Sequence, residues 1–238
     1  MKDNKTLSII IPVYNEESTL ECLLEKVINL QLTGGAKKEI IIVNDCSTDR
    51  SREIVKETTA RHKESSIKYT AHETNRGKGM AIRTGLQMVT GDFVVIQDAD
   101  LEYEPRDFNI LLSYLVTEGG RVVYGSRFLN PANKHSYRSF YLGGRLVSLF
   151  ANILYGQHLT DEPTCYKMFD TALIKSIDLR CTGFEFCPEV TAKVSKLGFK
   201  IRELPICYYP RTMDEGKKIK WYDGIEALWV LLKYRFVK

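Results

Sequence analysis

One ten-residue stretch, residues 93–102 with the sequence FVVIQDADLE, indicates both the fold and the candidate site. Its first four residues are apolar and mostly β-branched, which is typical of a short buried strand. Side chains of an extended segment alternate between two faces, so Asp98 and Asp100 are predicted to share one side, with Glu102 next in that series. Closely spaced carboxylates suit Mg²⁺ or Mn²⁺, which proteins often hold through one or two carboxylates and substrate phosphates. A solvated acidic turn at the end of a strand is the alternative interpretation.

The strand signal recurs before this stretch and alternates with apolar residues at helical spacing. The predicted elements are strands at residues 7–13, 39–43, 67–71 and 93–96, and helices at residues 20–28, 49–61 and 82–89. Asp49 is the predicted N-cap of the second helix. This alternation predicts an α/β protein with an open, mostly parallel sheet and helices on both faces.

Polar loops follow three of these strands. Their sequences are YNEE at residues 14–17, NDCSTD at residues 44–49 and QDADLE at residues 97–102. Open α/β sheets bind ligands outside the carboxyl ends of their strands, so we expect these three acidic loops to converge on one edge and form the site.

The second half of the chain alternates less regularly. The predicted elements are strands at residues 122–124 and 201–208, and helices at residues 142–155, at residues 188–197 and from about Trp221. We divide the chain into a catalytic domain, residues 1–216, and a basic amphipathic C-terminal helix, residues 217–238. That helix either lies in a membrane interface or packs on the core, and the pattern leaves both interpretations open.

Composition limits the classes of function. The chain has 238 residues, of which 44% are hydrophobic, so one main domain is expected, and a net charge of +4 gives no support for nucleic-acid binding. Its six cysteines form no CxxC pair, which favours a reducing compartment. No signal-peptide pattern and no apolar run of the ~20 residues needed to span a bilayer is present. We therefore expect a cytoplasmic protein whose membrane contact is peripheral or through a membrane-protein partner.

Several ordered motifs together resemble the family 2 glycosyltransferases. They are PVYNEE at residues 12–17, NDCSTD at 44–49, NRGKG at 75–79, QDADLE at 97–102 and GSRF at 125–128. Three further stretches resemble the dolichyl-phosphate mannose synthase and polyprenyl-phosphate glycosyltransferase branch of that family. They are DEPTCYK at residues 161–167, GFEF at 183–186, and residues 210–218, which begin with PR and end with GKK.

The resemblance implies a GT-A fold and inverting transfer of a hexose from a nucleotide diphosphate sugar, of the GDP-mannose or UDP-glucose type, to a polyprenyl or dolichyl phosphate. It also implies Mg²⁺ or Mn²⁺ as cofactor. The residues implied at the donor are Pro12, Tyr14, Glu16, Asp45, Lys78 and Asp98, with Asp45 facing the base. The implied metal ligands are Asp98, Asp100 and Glu102, and the implied acceptor-phosphate ligands are Arg127, Arg145, Arg211 and Lys217. A solvated lysine in the first turn of a helix is the alternative for Lys78.

A phosphate acceptor fits the residues at hand, because it is already anionic at neutral pH and needs cations rather than a general base. Arginine matches the geometry of phosphate oxygens, so Arg127 and Arg211 are assigned to catalysis together with Asp98 and Asp100. Glu185 is the candidate base if the acceptor is instead a saccharide or protein hydroxyl. A catalytically silent nucleotide-sugar-binding subunit is a further alternative. The four histidines, at positions 62, 72, 135 and 158, are isolated and are predicted to be surface or loop residues.

Overall fold

A computed structural model describes residues 5–134, 137–211 and 221–237 of the chain. Its strands are β1 Thr6–Val13, β2 Lys37–Asn44, β3 Ile67–Ala71, β4 Phe93–Ile96, β5 Val122–Ser126, β6 Lys167–Asp170 and β7 Arg202–Pro205. Its helices are α1 Leu20–Asn29, α2 Ser51–Arg61, α3 Lys78–Met88, α4 Phe108–Thr117, α5 Arg138–Tyr155, α6 Thr171–Lys175, α7 Phe186–Lys196 and α8 Trp221–Phe236.

The seven described strands form one sheet in the order β3-β2-β1-β4-β6-β5-β7. Strands β1 to β4 pair in parallel, and β7 pairs in parallel with β5, whereas β6 runs antiparallel to both β4 and β5. Val13 at the end of β1 is level with Asn44 at the end of β2, so the loops that follow them lie side by side. The predicted α/β class with a mostly parallel sheet is confirmed.

The central strands are apolar throughout because both of their faces are covered. Ile9, Ile10 and Ile11 are fully buried, and so are Val94 and Val95. The helical spacing in α1 is also confirmed, since its apolar residues form the buried face of that helix. These residues are Leu20, Leu23, Leu24 and Val27. A rigid apolar layer therefore supports the carboxyl-terminal loops.

The predicted boundaries differ from the structure at several elements. Helix α2 begins at Ser51 and its N-cap is Arg50, although the Asp49 carboxylate accepts a hydrogen bond from the Ser51 amide at 3.0 Å. Strand β7 ends at Pro205, because the chain then leaves the sheet to form a bridge between Tyr208 and Tyr103. Elements α4, β6 and α6 were not predicted, and α5 begins four residues before the predicted residue 142.

Helices α5 and α8 pack against each other and against α7 through a second apolar cluster. Its buried members are Val147, Ala151, Ala192, Val230, Leu231 and Tyr234. The opposite faces of α5 and α8 also carry large apolar side chains, all of them exposed. These are Leu142, Leu146, Leu149 and Ile153 on α5, and Trp221, Ile225, Trp229 and Phe236 on α8. No described helix is long and apolar enough to cross a membrane.

Candidate active site

A cavity of about 780 Å³ lies at the carboxyl ends of β1, β2 and β4, where α5, α7 and α8 face the sheet. Ten residues predicted from the sequence line it. They are Pro12, Tyr14, Glu16, Asp45, Lys78, Asp98, Asp100, Glu102, Arg127 and Arg211. Arg145 and Glu185 do not belong to its described lining, and Lys217 lies outside the described residues.

Asp98 and Asp100 reach the cavity from a turn rather than from an extended segment. Strand β4 ends at Ile96, and Leu101 has a φ of 61°, in the left-handed region. The carboxylate of Asp100 accepts a hydrogen bond from the Glu102 amide at 3.1 Å, which closes the turn. Asp98 and Asp100 therefore both line the cavity, but a turn and not strand alternation places them there.

Lys78, the first residue of α3, forms an ion pair with Asp98. Its Nζ lies 2.6 Å from Asp98 Oδ1, and only 22% of its side chain is exposed. Burial by itself disfavours the ammonium, but the attraction of Asp98 outweighs burial and raises the Lys78 pKa. Lys78 is therefore a charged residue of the cavity wall and not a solvated lysine.

The start of α3 lies unusually close to the loop that precedes α7. Gly77 has a φ of 89°, and a Cβ at this position would lie 2.5 Å from the carbonyl oxygen of Thr182. That same oxygen accepts a hydrogen bond from the Met80 amide at 3.0 Å, so it caps the helix. Glycine at position 77 permits the close approach that places Lys78 beside Asp98.

Arg211 contacts the acidic cluster at several points. Its guanidinium nitrogens lie 3.2 and 3.3 Å from the two Glu16 oxygens and 3.2 Å from Asp100 Oδ2. Its backbone amide donates to Glu102 Oε1 at 2.7 Å, and the Tyr208 hydroxyl donates to Glu102 Oε2 at 3.2 Å. Glu102 thus anchors the segment from Tyr208 to Arg211, with both of its carboxylate oxygens engaged.

The charges of the cluster favour a divalent cation. Burial, followed by repulsion from Asp98 and Glu102, raises the Asp100 pKa to about 7, although Arg211 opposes this effect. Among the described residues, the cluster contains four carboxylates and two contacting cations, Lys78 and Arg211. The carboxylates are those of Glu16, Asp98, Asp100 and Glu102. No group of three metal-ligating side chains is found among the described residues. The hard oxygens and the excess charge nevertheless fit Mg²⁺ or Mn²⁺.

The two other described arginines assigned to the acceptor lie in different settings. Arg127 is locked to Asp161 by two contacts, from Nε at 2.7 Å and from Nη2 at 2.6 Å, and it lies 5.1 Å from the ring centre of Tyr208. Arg145 is exposed on α5, where its guanidinium lies 5.7 Å from the ring centre of Phe128. Arg127 forms part of the cavity wall, and Arg145 lies outside it.

Asp45 has its carboxylate occupied by protein groups. One oxygen lies 2.6 Å from His72 Nδ1 and accepts from the Arg76 amide at 2.9 Å, and the other accepts from the Gly77 amide at 2.7 Å. The His72 side chain is only 7% exposed, and its second nitrogen lies 2.9 Å from the Thr84 hydroxyl. His72 lies in the loop after β3, as predicted, but its side chain is buried, joins this network and helps to hold Asp45.

The sequence matches the model of the family described as glycosyl transferase family 2 over residues 8–178. The chain belongs to this family. This confirms the family resemblance and shows that the protein is a glycosyltransferase with the GT-A fold.

Among the relatives of this family 2 enzyme is the dolichyl-phosphate beta-glucosyltransferase of Trichomonas vaginalis, 31% identical over 95% of this chain and 72% of that protein. The low-salt glycan biosynthesis hexosyltransferase of Haloferax volcanii is 27% identical over 87% of the chain and 48% of that protein. The undecaprenyl-phosphate 4-deoxy-4-formamido-L-arabinose transferase of Pectobacterium atrosepticum is 31% identical over 75% of the chain and 53% of that protein. The chain thus spans only about half of the last two.

Solved structures with the same fold include glucosyl-3-phosphoglycerate synthase of Mycobacterium tuberculosis. In its complex with phosphoglyceric acid the TM-score is 0.72, with 20% identity over all of this chain and 82% of that one. Its complex with Mn²⁺, UDP-glucose and phosphoglyceric acid gives a TM-score of 0.71, again at 20% identity, over the same shares of the two chains. At this identity the likeness shows the fold alone.

Two glutamates of the family 2 enzyme lie where the sequence did not place them. Glu185 Oε1 accepts hydrogen bonds from the Thr182 and Gly183 amides, both at 2.9 Å, so it stabilises the turn before α7. Glu162 is fully buried and belongs to the cavity lining, where Oε1 accepts from the Thr191 hydroxyl at 2.8 Å and Lys167 Nζ lies 4.0 Å away. Glu162 belongs to a quoted motif, but a glutamate in a polar stretch gives no sign that it is buried.

Proposed function

We propose that this glycosyltransferase moves a hexose from a nucleotide diphosphate sugar to a polyprenyl or dolichyl phosphate, with inversion and by direct displacement. The observation that carries the proposal is the continuity of the cavity. It runs from the acidic cluster, past Arg211, to the facing ends of α5 and α8, where Phe140, Gly144 and Trp221 line it. A phosphate with an apolar tail fits such a cavity, because the phosphate would meet the charged residues and the tail would meet the apolar side chains of α5 and α8.

The proposed donor site lies at the carboxyl ends of β1, β2 and β4. Tyr14 and Asp45 line the part of the cavity beside β1 and β2, where a nucleotide would lie, and Asp45 would support the base site through its hold on residues 76 and 77. Asp98 and Asp100, with the donor diphosphate, would hold Mg²⁺ or Mn²⁺. The cation would supply stabilisation of negative charge on the departing nucleoside diphosphate. Lys78 would add a second positive charge on the same side.

The acceptor half rests on charge and on the position of Glu185, which does not belong to the described cavity lining. A phosphate nucleophile is anionic and needs only to be held against the sugar. Arg211 is the closest described arginine to the acidic turn, at 3.2 Å from Asp100, and Arg127 lines the same cavity. Glu185, the candidate base for a hydroxyl acceptor, lies outside the described lining, so transfer to a saccharide or protein hydroxyl is not favoured. The Trichomonas and Pectobacterium relatives are named for lipid phosphates, which supports the same acceptor class.

The exposed apolar faces of α5 and α8 extend the proposal to a membrane surface. Leu146 and Trp229 belong to these faces, whereas the inner faces of the same helices are already used in packing. A lipid phosphate is presented by a bilayer, and apolar faces beside the cavity would let the enzyme lie on that bilayer. We therefore propose peripheral contact through α5 and α8 on the cytoplasmic side, with or without a membrane-protein partner.

The first experiment measures nucleoside diphosphate release by the purified chain. GDP-mannose and UDP-glucose are offered with Mg²⁺ or Mn²⁺, and the acceptor is a short polyprenyl phosphate or the matched polyprenol without phosphate. Release that requires both the cation and the phosphorylated lipid supports the proposal, and Asp100→Asn serves as the inactive control. Equal release with the polyprenol points to a hydroxyl acceptor, and no release with any pair points to a silent subunit.

A second experiment tests the membrane contact. The double variant Leu146→Ser/Trp229→Ser is compared with the wild type in flotation with vesicles that contain anionic lipids. Ile110→Ser is the matched control, because Ile110 is an exposed apolar residue on α4, outside the α5 and α8 faces. We expect the double variant alone to lose vesicle binding. Equal binding by all three proteins would contradict the proposed surface.

A further inference from the structure

We infer that Arg211 is an internal counter-ion of the acidic cluster and that a divalent cation displaces its guanidinium from the carboxylates. The inference rests on the metal site proposed above. It assigns to Arg211 a second role, which is competition with the metal for Glu16 and Asp100. The metal-bound protein then differs from the metal-free protein in the position of one named side chain.

The Arg211 guanidinium is shared between two carboxylates, and its contacts with them are long. Its three guanidinium contacts to Glu16 and Asp100 measure 3.2 to 3.3 Å. Charge-assisted hydrogen bonds between a guanidinium and a carboxylate usually measure about 2.7–2.9 Å. Arg127, in the same cavity, reaches this range with Asp161 at 2.6 and 2.7 Å. Arg211 therefore forms a long two-point pair with Glu16 and shares its Nη2 with Asp100.

Both oxygens of Asp100 already accept a donor. Oδ1 accepts from the Glu102 amide at 3.1 Å, and Oδ2 lies 3.2 Å from the Arg211 guanidinium. A Mg²⁺ or Mn²⁺ ligand oxygen lies about 2.1 Å from the ion, so an ion bound to Oδ2 would stand close to the Arg211 guanidinium that already contacts this oxygen. The amide is fixed by the turn, whereas the guanidinium ends a flexible side chain and is repelled by a second cation. Arg211 is thus the group that leaves.

The backbone of Arg211 provides a pivot for this movement. Its amide donates to Glu102 Oε1 at 2.7 Å, and the amide of Tyr209, two residues earlier, donates to the Glu102 carbonyl oxygen at 2.8 Å. Neither contact involves the guanidinium, so the side chain can turn away while the segment stays attached to the acidic turn. The released guanidinium remains within the cavity, where phosphate oxygens are the matching anions. Cation binding and phosphate binding are then linked, and each strengthens the other.

The test measures the affinity of the purified full chain for Mn²⁺ alone, without donor or acceptor, by electron paramagnetic resonance of unbound Mn²⁺. Arg211→Met is compared with the wild type and with Arg145→Met, which removes one exposed positive charge from α5 and no contact to the cluster. We expect Arg211→Met to bind Mn²⁺ about tenfold more tightly, since the competing cation is gone. Arg145→Met should match the wild type, and Arg211→Lys should lie between wild type and Arg211→Met.

A second readout follows the arginine directly. The Nε–H signal of Arg211, identified by its absence from the Arg211→Met spectrum, should move on titration of ¹⁵N-labelled protein with Mg²⁺, whereas that of Arg127 should not. If the wild type binds Mn²⁺ and Arg211→Met binds it equally well or more weakly, this inference is overturned. The proposed metal site would still stand in that case. A lack of Mn²⁺ binding in every variant, with GDP and UDP absent or present, overturns both.

Discussion

Arg127 and Arg211 line the same cavity, and their motifs suggest the same role, yet their surroundings differ. Arg127 forms two short contacts with Asp161, which has no exposed side-chain surface, and the Arg127 amide donates to the same carboxylate at 2.9 Å. Arg211 spreads longer contacts over Glu16 and Asp100. The first arrangement is a short pair with one carboxylate, and the second is a longer set of contacts shared between two carboxylates.

The difference lies in the partners and not in the charge of the arginine. Burial disfavours the guanidinium of Arg127, but Asp161 outweighs burial and raises the Arg127 pKa. Burial also disfavours that of Arg211, and there Glu16 and Asp100 together raise its pKa. Both side chains are therefore cations at every accessible pH. Removing either arginine leaves its carboxylate partners without that cation, but only the side chain of Asp161 has no exposed surface.

Arg127→Met should give the largest effect on stability. It leaves the Asp161 carboxylate buried without its cation, which typically costs about 3–5 kcal/mol of unfolding free energy. Urea denaturation followed by circular dichroism measures the change. The control is Arg145→Met, where an exposed arginine should change stability by less than about 0.5 kcal/mol. A stable Arg127→Met protein with weakened acceptor binding would instead make Arg127 a ligand-binding residue, like the proposed Arg211.

Arg211→Met should show the opposite division of effects. Stability should fall less than in Arg127→Met, because the Asp100 and Glu16 side chains keep 17% and 9% exposure whereas that of Asp161 keeps none. Turnover with lipid phosphate should fall about 100-fold, the usual scale for removing one charged group that stabilises a reacting anion. Steady-state kinetics and urea denaturation on the same preparation check both parts. A large loss of stability with unchanged kinetics would abolish the distinction between the two arginines.

Much of the fold could be predicted because its strands and helices are locally periodic. Strand β1 and helix α1 bury the residues that their patterns mark as apolar. Strand β6 was missed because it is a short antiparallel strand with Lys167 at its start, and a buried lysine carries no strand signal. Its position depends on β4 and β5, which are distant in sequence, so no local pattern could reveal it.

The candidate site could be predicted as a set of residues but not as a set of contacts. The acidic turn, Lys78 and Arg211 meet because parallel strands end at one edge, which sequence order implies. Which carboxylate faces which cation depends on side-chain positions across tens of residues. The pairing of Asp45 with His72 illustrates this, since the histidine lies 27 positions away and follows a different strand. The hydrogen bonds that Glu102 accepts from residues 208 and 211 likewise join positions more than a hundred residues apart.

Glu39 is a second enclosed carboxylate that is paired with a cation, in this case Lys68. Burial alone would raise its pKa, but hydrogen bonds from Lys68, Ser8 and Thr90 outweigh burial and lower the pKa from 4.5 to about 2. Because the folded-state pKa is depressed, this stabilisation is complete above the unfolded value and is lost as pH falls from about 4.5 towards 2. Glu39→Gln should therefore cost about 2 kcal/mol at pH 7.

The cost of Glu39→Gln should shrink as the pH of the urea titration approaches 2. The matched control is Glu21→Gln, which removes an exposed partner of Arg61 and should change stability by less than about 0.5 kcal/mol at any pH. A pH-independent cost would mean that Glu39 contributes through packing and not through its charge.

Glu185→Gln is predicted to have the smallest effect of the four. Glu185 Oε1 accepts from two backbone amides, and glutamine keeps one oxygen that can do the same, so the loss of stability should be about 1 kcal/mol or less. Turnover with lipid phosphate should stay within about twofold of wild type, because an anionic acceptor has no proton to give up. If the acceptor were a hydroxyl and Glu185 its base, the same change would cost about 10²–10⁴-fold. Glu185→Gln therefore separates the two acceptor classes without disturbing either arginine, and a large kinetic loss in a stable protein would require Glu185 to turn into the cavity during the reaction.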